Sequence, residues 1–197
     1  MTTGAARPAS APRTPAPASA PARPARKARR ERAVSTTYRL APTAGPTSDD
    51  RSAFAHAAAS EREQIFGHAD LADGAVDRMR SLLNAWLHLD RDPVSLLWLD
   101  AWQASRRRPA LLAEVGRQMN TDLDRLSAVI AGGIAAGDFE IEDPGAPALQ
   151  MLSLIDGLSV QAATRGILDY TPVRAMVIAT TERLLALPPG ALTQKSF

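Results

Sequence analysis

The sequence predicts an all-α fold of about six helices, and three observations carry that prediction. Apolar residues from about Ser52 to Leu187 recur at steps of three and four, the period of one helix face. No run alternates Val, Ile or Thr with polar residues as a half-buried strand requires. Most helix starts and stops carry their own signals: a Pro in the first turn, an Asp, Ser or Thr before it, or a Gly after the last turn.

Taken in order, Ser60 and Glu63 form a capping box that opens a short helix from Glu61 to about His68. Asp70 opens the next, whose stripe is Val76, Met79, Leu82, Leu83, Trp86 and Leu87. Asp90-Arg91-Asp92-Pro93 ends it and starts another, with Asp92 as N-cap and Pro93 at the first helical position. That third helix runs to about Arg107. Leu96, Leu97, Trp98, Leu99 and Trp102 make it apolar nearly all round, which places it in the centre of the domain. Arg106, Arg107 and Arg108 put positive charge at its C-terminal end, where the helix dipole favours it.

Pro109 starts a long helix marked by Leu111, Leu112, Val115, Met119, Leu123, Leu126, Ile130 and Ile134, with Gly137 as its C-cap. Gly132-Gly133 within it marks close packing or a kink. Asp143 caps the following helix, whose stripe is Leu149, Leu152, Ile155, Leu158 or Ser159, and Ala162. Thr171 caps the last helix, with Pro172 at its first position. Met176, Val177, Thr180, Leu184 and Leu185 lie along it until Pro188-Pro189-Gly190.

The composition divides the chain. Residues 1–50 hold nine Lys/Arg against three Asp/Glu, while the rest of the 197 residues hold fourteen against eighteen. Eight of the fifteen prolines fall in the same first fifty residues, which excludes a stable helix there. The expected organisation is a disordered basic Pro/Ala-rich tail over 1–51, a helical domain over 52–190, and a loose C-terminal tail over 191–197. The cluster Arg26, Lys27, Arg29, Arg30 and Arg32 suits phosphate attraction or, equally, a solvated linker.

There are no cysteines, which excludes a disulfide framework, a thiolate metal site and a cysteine nucleophile, and is compatible with the cytoplasm. No apolar run is long enough to span a membrane, and no apolar segment follows the basic residues as a signal peptide requires. No nucleophile elbow, phosphate loop or dinucleotide fingerprint is present, so an enzyme is not supported and no cofactor is implied. Of the three histidines only His68-x-Asp70 resembles a metal pair, and no two have the helical i,i+4 spacing of paired ligands.

All three tryptophans, Trp86, Trp98 and Trp102, fall in two consecutive helices, and the long helix beyond offers Met119 and Leu123. The cluster reads as ordinary core, or as the wall of a ligand cavity between helices. Gln103, Asn120, Asp156 and Gln161 are the polar candidates on otherwise apolar segments.

From about Arg78 to Leu187 the sequence resembles the C-terminal regulatory domain of TetR-type transcriptional repressors, within them the BetI-like subgroup. Four segments carry the resemblance: Asp92 through Trp102; Arg125 through Ile130 with Gly133 and Ala136-Gly137-Asp138-Phe139; Leu152 through Leu158; and the closing helix from Val173 to Leu187. The resemblance implies a homodimer in which the last two helices pair with their copies in a four-helix bundle. Leu152, Ile155, Asp156, Gly157, Ser159, Ala163, Met176, Thr180 and Leu184 are the interface candidates. It also implies a small-molecule effector bound among Trp86, Trp98, Trp102, Gln103, Met119, Asn120 and Leu123, coupled to DNA binding.

Such repressors open with a helix-turn-helix unit of about fifty residues, and residues 33–59 lack its periodicity. The expectation is either a frame or start error before about Ser52 or a true loss of the DNA-binding head. The alternative to a regulator is a stand-alone helical module that binds a small ligand or pairs with a relative.

Overall fold

The computed structural model describes Met1, residues 48–164 and residues 169–193, with side chains outside the description at 48, 49, 163 and 164. The described residues form six α-helices and one 3-10 turn, with no strand among them. The chain divides after Ala33, and every helix described lies from Val34 onward.

Helix α1, Ser48–Asp70, is one continuous element of 23 residues. The expected start at Ser60 is therefore corrected: Ser60 and Glu63 are exposed mid-helix residues. Ala53, Ala55, Ala57, Ala58 and Ala59 are the strongest helix formers available, and nothing between Ser48 and Ser60 interrupts them. Asp50 sits in the first turn, where the dipole favours an anion, and its Oδ2 lies 2.9 Å from Arg108 Nη1.

Asp70 ends α1 rather than opening α2, which runs Ala75–Trp86. Gly74 makes the turn at φ 82°, a conformation that favours glycine. A 3-10 turn, Leu89–Arg91, leads into α3, Asp92–Ser105, with Arg91 rather than Asp92 in the cap position. Helix α3 packs on α1 and on the two long helices that follow. It is two-sided, not apolar all round: Leu97, Trp98 and Ala101 are buried, and Leu96 is exposed.

Helix α4, Pro109–Ala136, is the spine of the domain and touches α1, α2, α3 and the next helix. Gly137 closes it at φ 76°, and Asp138 N donates to Gly133 O at 2.9 Å. Gly133 is where two segments meet, since a Cβ there would run into the Phe139 ring. Gly132 has open space around it and no such role.

Helix α5, Gly145–Thr164, begins at Asp143, whose carboxylate accepts from Gly145 N at 2.9 Å and Ala146 N at 3.2 Å. Its buried face is Ala148, Met151, Leu152, Ile155, Leu158 and Ser159, so Leu149, expected in the inward stripe, faces out. Helix α6, Thr171–Leu184, is entered through Asp169, which accepts from Thr171 N at 3.0 Å. Those bonds from Thr171 hold the Asp169 carboxyl below its ordinary value.

Residues 190–192 are tied to α2 and α6, while residues 194–197 lie outside the described residues. Glu182 accepts from Leu192 N at 2.8 Å and Gly190 N at 3.1 Å, and Arg80 Nη2 donates to Ala191 O at 2.6 Å. Leu192 is buried in the core as a result.

Candidate functional site

The buried face of α1 changes character along its length. Phe54, Ala57 and Ala58 are apolar, Glu61 and Arg62 are charged, and Ile65, Phe66 and Ala69 are apolar again. The facing surface of α4 does the same, from Leu111 and Val115 through Gln118 and Asp122 to Leu126 and Ile130. The domain consequently has two apolar clusters. One is built round Phe54, Leu97 and Trp98, the other round Phe66, Leu83 and Ile155. A charged layer lies between them.

Within that layer Arg62 Nε lies 2.5 Å from Asp122 Oδ1. Arg62 Nη2 donates to Gln118 Oε1 at 2.7 Å and to Gln118 O at 3.1 Å. Gln118 Nε2 donates in turn to Glu114 Oε1 at 2.7 Å, and Arg117 pairs with Glu114 from the surface. Burial raises the Glu114 carboxyl, but the hydrogen bonds from Arg117 and Gln118 outweigh it and the net shift is downward.

On the other side, Glu61 accepts from Arg91 Nε at 2.5 Å and from Trp98 Nε1 at 3.1 Å. Asp156 enters from α5 and receives no hydrogen bond from any described residue. Burial pushes its carboxyl up to about 6; Arg91 opposes this, and Asp122 and Glu61 add to it. Burial likewise raises Asp122, against the pull of Arg62. Three carboxylates thus share the layer with two guanidiniums. Ile65, Phe66, Trp86, Trp98, Leu152 and Ile155 close round them, leaving a void of about 10 Å³, room for one water.

Behind the Arg91–Glu61 pair the space opens. A cleft of about 530 Å³ runs between α1, α2 and residues 88–94, with His68, Ser81, Asn84 and His88 along its sides. Glu61, Ile65 and Arg91 line both the cleft and the inner void, so this ion pair is the partition between them. A hollow of about 610 Å³ along His56, Ser60, Glu63 and Leu71 is open to solvent and encloses no buried polar side chain.

The sequence-derived candidates distribute unevenly over this geometry. Trp86 and Trp98 wall the charged layer. The Trp86 ring stands edge-on to Phe66 at 5.5 Å, and that of Trp98 edge-on to Phe54 at 4.9 Å. Trp102 and Met119 are half-buried on the Phe54 cluster, and Leu123 on the other. Gln103 and Asn120 lie on the surface. Each lies two positions beyond a buried one, Ala101 and Gln118, about 200° around its helix. Gln161 is half-buried.

Leu152, Ile155 and Ser159 point into the domain's core, and Asp156 into the charged layer. Gly157 and Met176 are exposed, Thr180 and Leu184 half-buried, and the Ala163 side chain lies outside the described residues. So do Arg26, Lys27, Arg29, Arg30 and Arg32. His68 and Asp70 are exposed, and no group of three or more His, Cys, Asp or Glu among the described residues suits a metal ion. No described helix is long and apolar enough to cross a membrane.

Glu61, Arg62, Arg91, Gln118 and Asp122 escape a reading by apolar periodicity. Their signal is positional: each of the four on α1 and α4 continues a buried stripe with a polar side chain.

The family model of the C-terminal domain of BetI-type transcriptional repressors matches residues 75–186. The fold resembles that of a TetR-family transcriptional regulator from a Rhodococcus species, at TM-score 0.60 and 18% identity over 68% of this chain and 72% of that one. It also resembles a transcriptional regulator from Pseudomonas aeruginosa PAO1, at TM-score 0.60 and 18% identity over 72% and 69%. A third, from Rhodococcus sp. RHA1, has TM-score 0.58 and 14% identity over 74% of each chain. No curated protein matches the sequence.

Proposed function

The chain belongs to the family of BetI-type transcriptional repressors through its C-terminal domain, and on that premise we propose that residues 48–193 sense a small-molecule effector and dimerise to regulate transcription. The observation that carries the effector half of this reading is the charged layer sealed between two apolar clusters, with a cleft of about 530 Å³ leading to it. Packed hydrophobic residues would stabilise the domain at least as well as buried ion pairs do. A layer of charge kept at the centre, next to a cleft, is therefore better explained by recognition than by stability.

The dimer half rests on a strip that no described residue covers. Leu149, Ser153, Gly157 and Val160 follow one another along the outer face of α5, and Met176 is exposed on α6 beside it. These two helices are where the family places its four-helix bundle. An effector that reshapes the charged layer would move α5 through Asp156, and thereby the relation between two copies.

Mobility shift on DNA flanking the chain's own gene tests the reading. Site-specific binding that a small molecule releases supports a regulator complete in this chain. Binding that is sequence-indifferent and falls steeply with salt supports the second reading, a helical sensing or pairing module without its own DNA reader. The basic, proline-rich composition of the first fifty residues favours keeping that second reading.

A further inference from the structure

We infer that Arg91 is a built-in occupant of the effector site, and that the effector is a small organic cation bearing N–H donors that takes its place against Glu61 and Asp156. The inference rests on the effector-sensing reading above and specifies the ligand class. The Arg91 side chain is only 11% exposed, although His88, Leu89 and Asp90 just before it are all exposed. The guanidinium therefore reaches inward from a surface turn. It can leave by rotation about its own side-chain bonds, without unpacking α3.

Its departure joins the inner void to the cleft, since that pair is the partition. The combined space falls in the range that small ligands occupy. Glu61, Asp122 and Asp156 would then face Arg62 alone, an excess of two negative charges among apolar walls. A carboxylate or phosphate ligand would add to that excess, and a neutral one would leave it uncompensated.

The acceptors decide between kinds of cation. Glu61 takes an N–H from Arg91 at 2.5 Å, and Asp156 receives no hydrogen bond from any described residue. An amine, amidine or guanidine supplies such donors, whereas a quaternary ammonium does not. Trp86 and Trp98 line the void, Trp98 with its Nε1–H edge on Glu61, and they suit an apolar body attached to the charge.

The test is calorimetric titration of the full chain with benzamidinium, beside benzoate, benzyl alcohol and phenyltrimethylammonium, with tryptophan fluorescence as the second readout. Benzamidinium is expected to bind about tenfold tighter than each of the other three. Arg91→Ala, which removes the internal competitor, should tighten benzamidinium about tenfold, and Asp156→Asn should weaken it about tenfold. Arg91→Lys, which keeps a cation in place, should stay near the wild type and shows whether position 91 tolerates change. Weaker or unchanged binding in Arg91→Ala overturns the inference, as does benzamidinium failing to bind both wild type and that variant. Equal binding of benzoate or benzyl alcohol, indifferent to Asp156→Asn, overturns the cation while leaving an effector cavity in place.

Discussion

Arg62 and Asp122 join the middles of α1 and α4, with Nε 2.5 Å from Oδ1 and both side chains largely shielded from water at 8% and 16% exposure. Arg62 also satisfies both oxygens of Gln118, so one guanidinium ties three acceptors on α4. Removing it strands Asp122 in a site where burial already raises its carboxyl. Arg62→Met is expected to cost about 3 kcal/mol by urea denaturation. Adding Asp122→Leu should recover most of that loss, because the pair is then replaced by apolar volume. A double variant no more stable than the single one would show that the charges themselves hold the two helices.

Asp156 gives the domain a pH dependence of defined sign. Its folded carboxyl sits at about 6, above the ordinary 3.8, so the folded state binds the proton more tightly than the unfolded chain. Stability therefore falls as pH rises from about 4 to about 6 and is flat above, as far as this group decides it. Asp156→Asn should remove that slope and stabilise the protein by about 3 kcal/mol at neutral pH, with no gain near pH 4. Denaturation midpoints of the two proteins across that range check it. Parallel curves would mean that Asp156 is solvated or paired in solution.

Gly133 and Phe139 fix how α4 turns toward α5. The Phe139 ring, 2% exposed, occupies the space where a side chain at 133 would begin. Gly133→Ala gains helix propensity but must push the ring out, and the net expectation is a loss of about 1–3 kcal/mol. Gly132→Ala, one residue away in open space, should be neutral or stabilising. Thermal melts of the pair isolate the packing cost, and equal melts would mean that Phe139 moves freely.

Different parts of the molecule were legible for different physical reasons. Pro109, Gly137 and Asp143 act on the backbone next to them, and the boundaries they mark are where the sequence places them. Ser60 and Glu63 misled because a Ser-x-x-Glu pattern opens a helix only where the chain is not already helical. Leu149 misled because, one turn before Leu152 and Ile155, the buried face passes through Ala148 and Met151 instead, and only packing decides which residue at the edge of the stripe turns inward. The aromatic walls at Trp86 and Trp98 were visible as a cluster. Their charged companions Glu61, Arg62, Arg91 and Asp122 were not, because hydropathy assigns such side chains to the surface and only a partner brought by another helix allows their burial.

Gly157 offers the most direct test of the proposed dimer. It is exposed on α5, and apart from its chain neighbours and the surrounding helix backbone no described atom lies within 4 Å of where a Cβ would stand. Leu149 and Val160 flank it on the same strip, 55% and 52% exposed. A missing side chain in an apolar strip lets a second helix approach closely, and a large one holds it off. Gly157→Trp is thus expected to leave the protomer folded, with an unchanged helical circular dichroism spectrum, while halving the mass by light scattering from twice the 21.0 kDa chain to one copy. Val160→Lys should act in the same direction by placing a charge in the seam. A dimer mass kept by both variants would move the interface away from this face of α5. A loss of helicity in Gly157→Trp alone would pass the decision to Val160→Lys, whose exposed site adds a charge without adding bulk to the core.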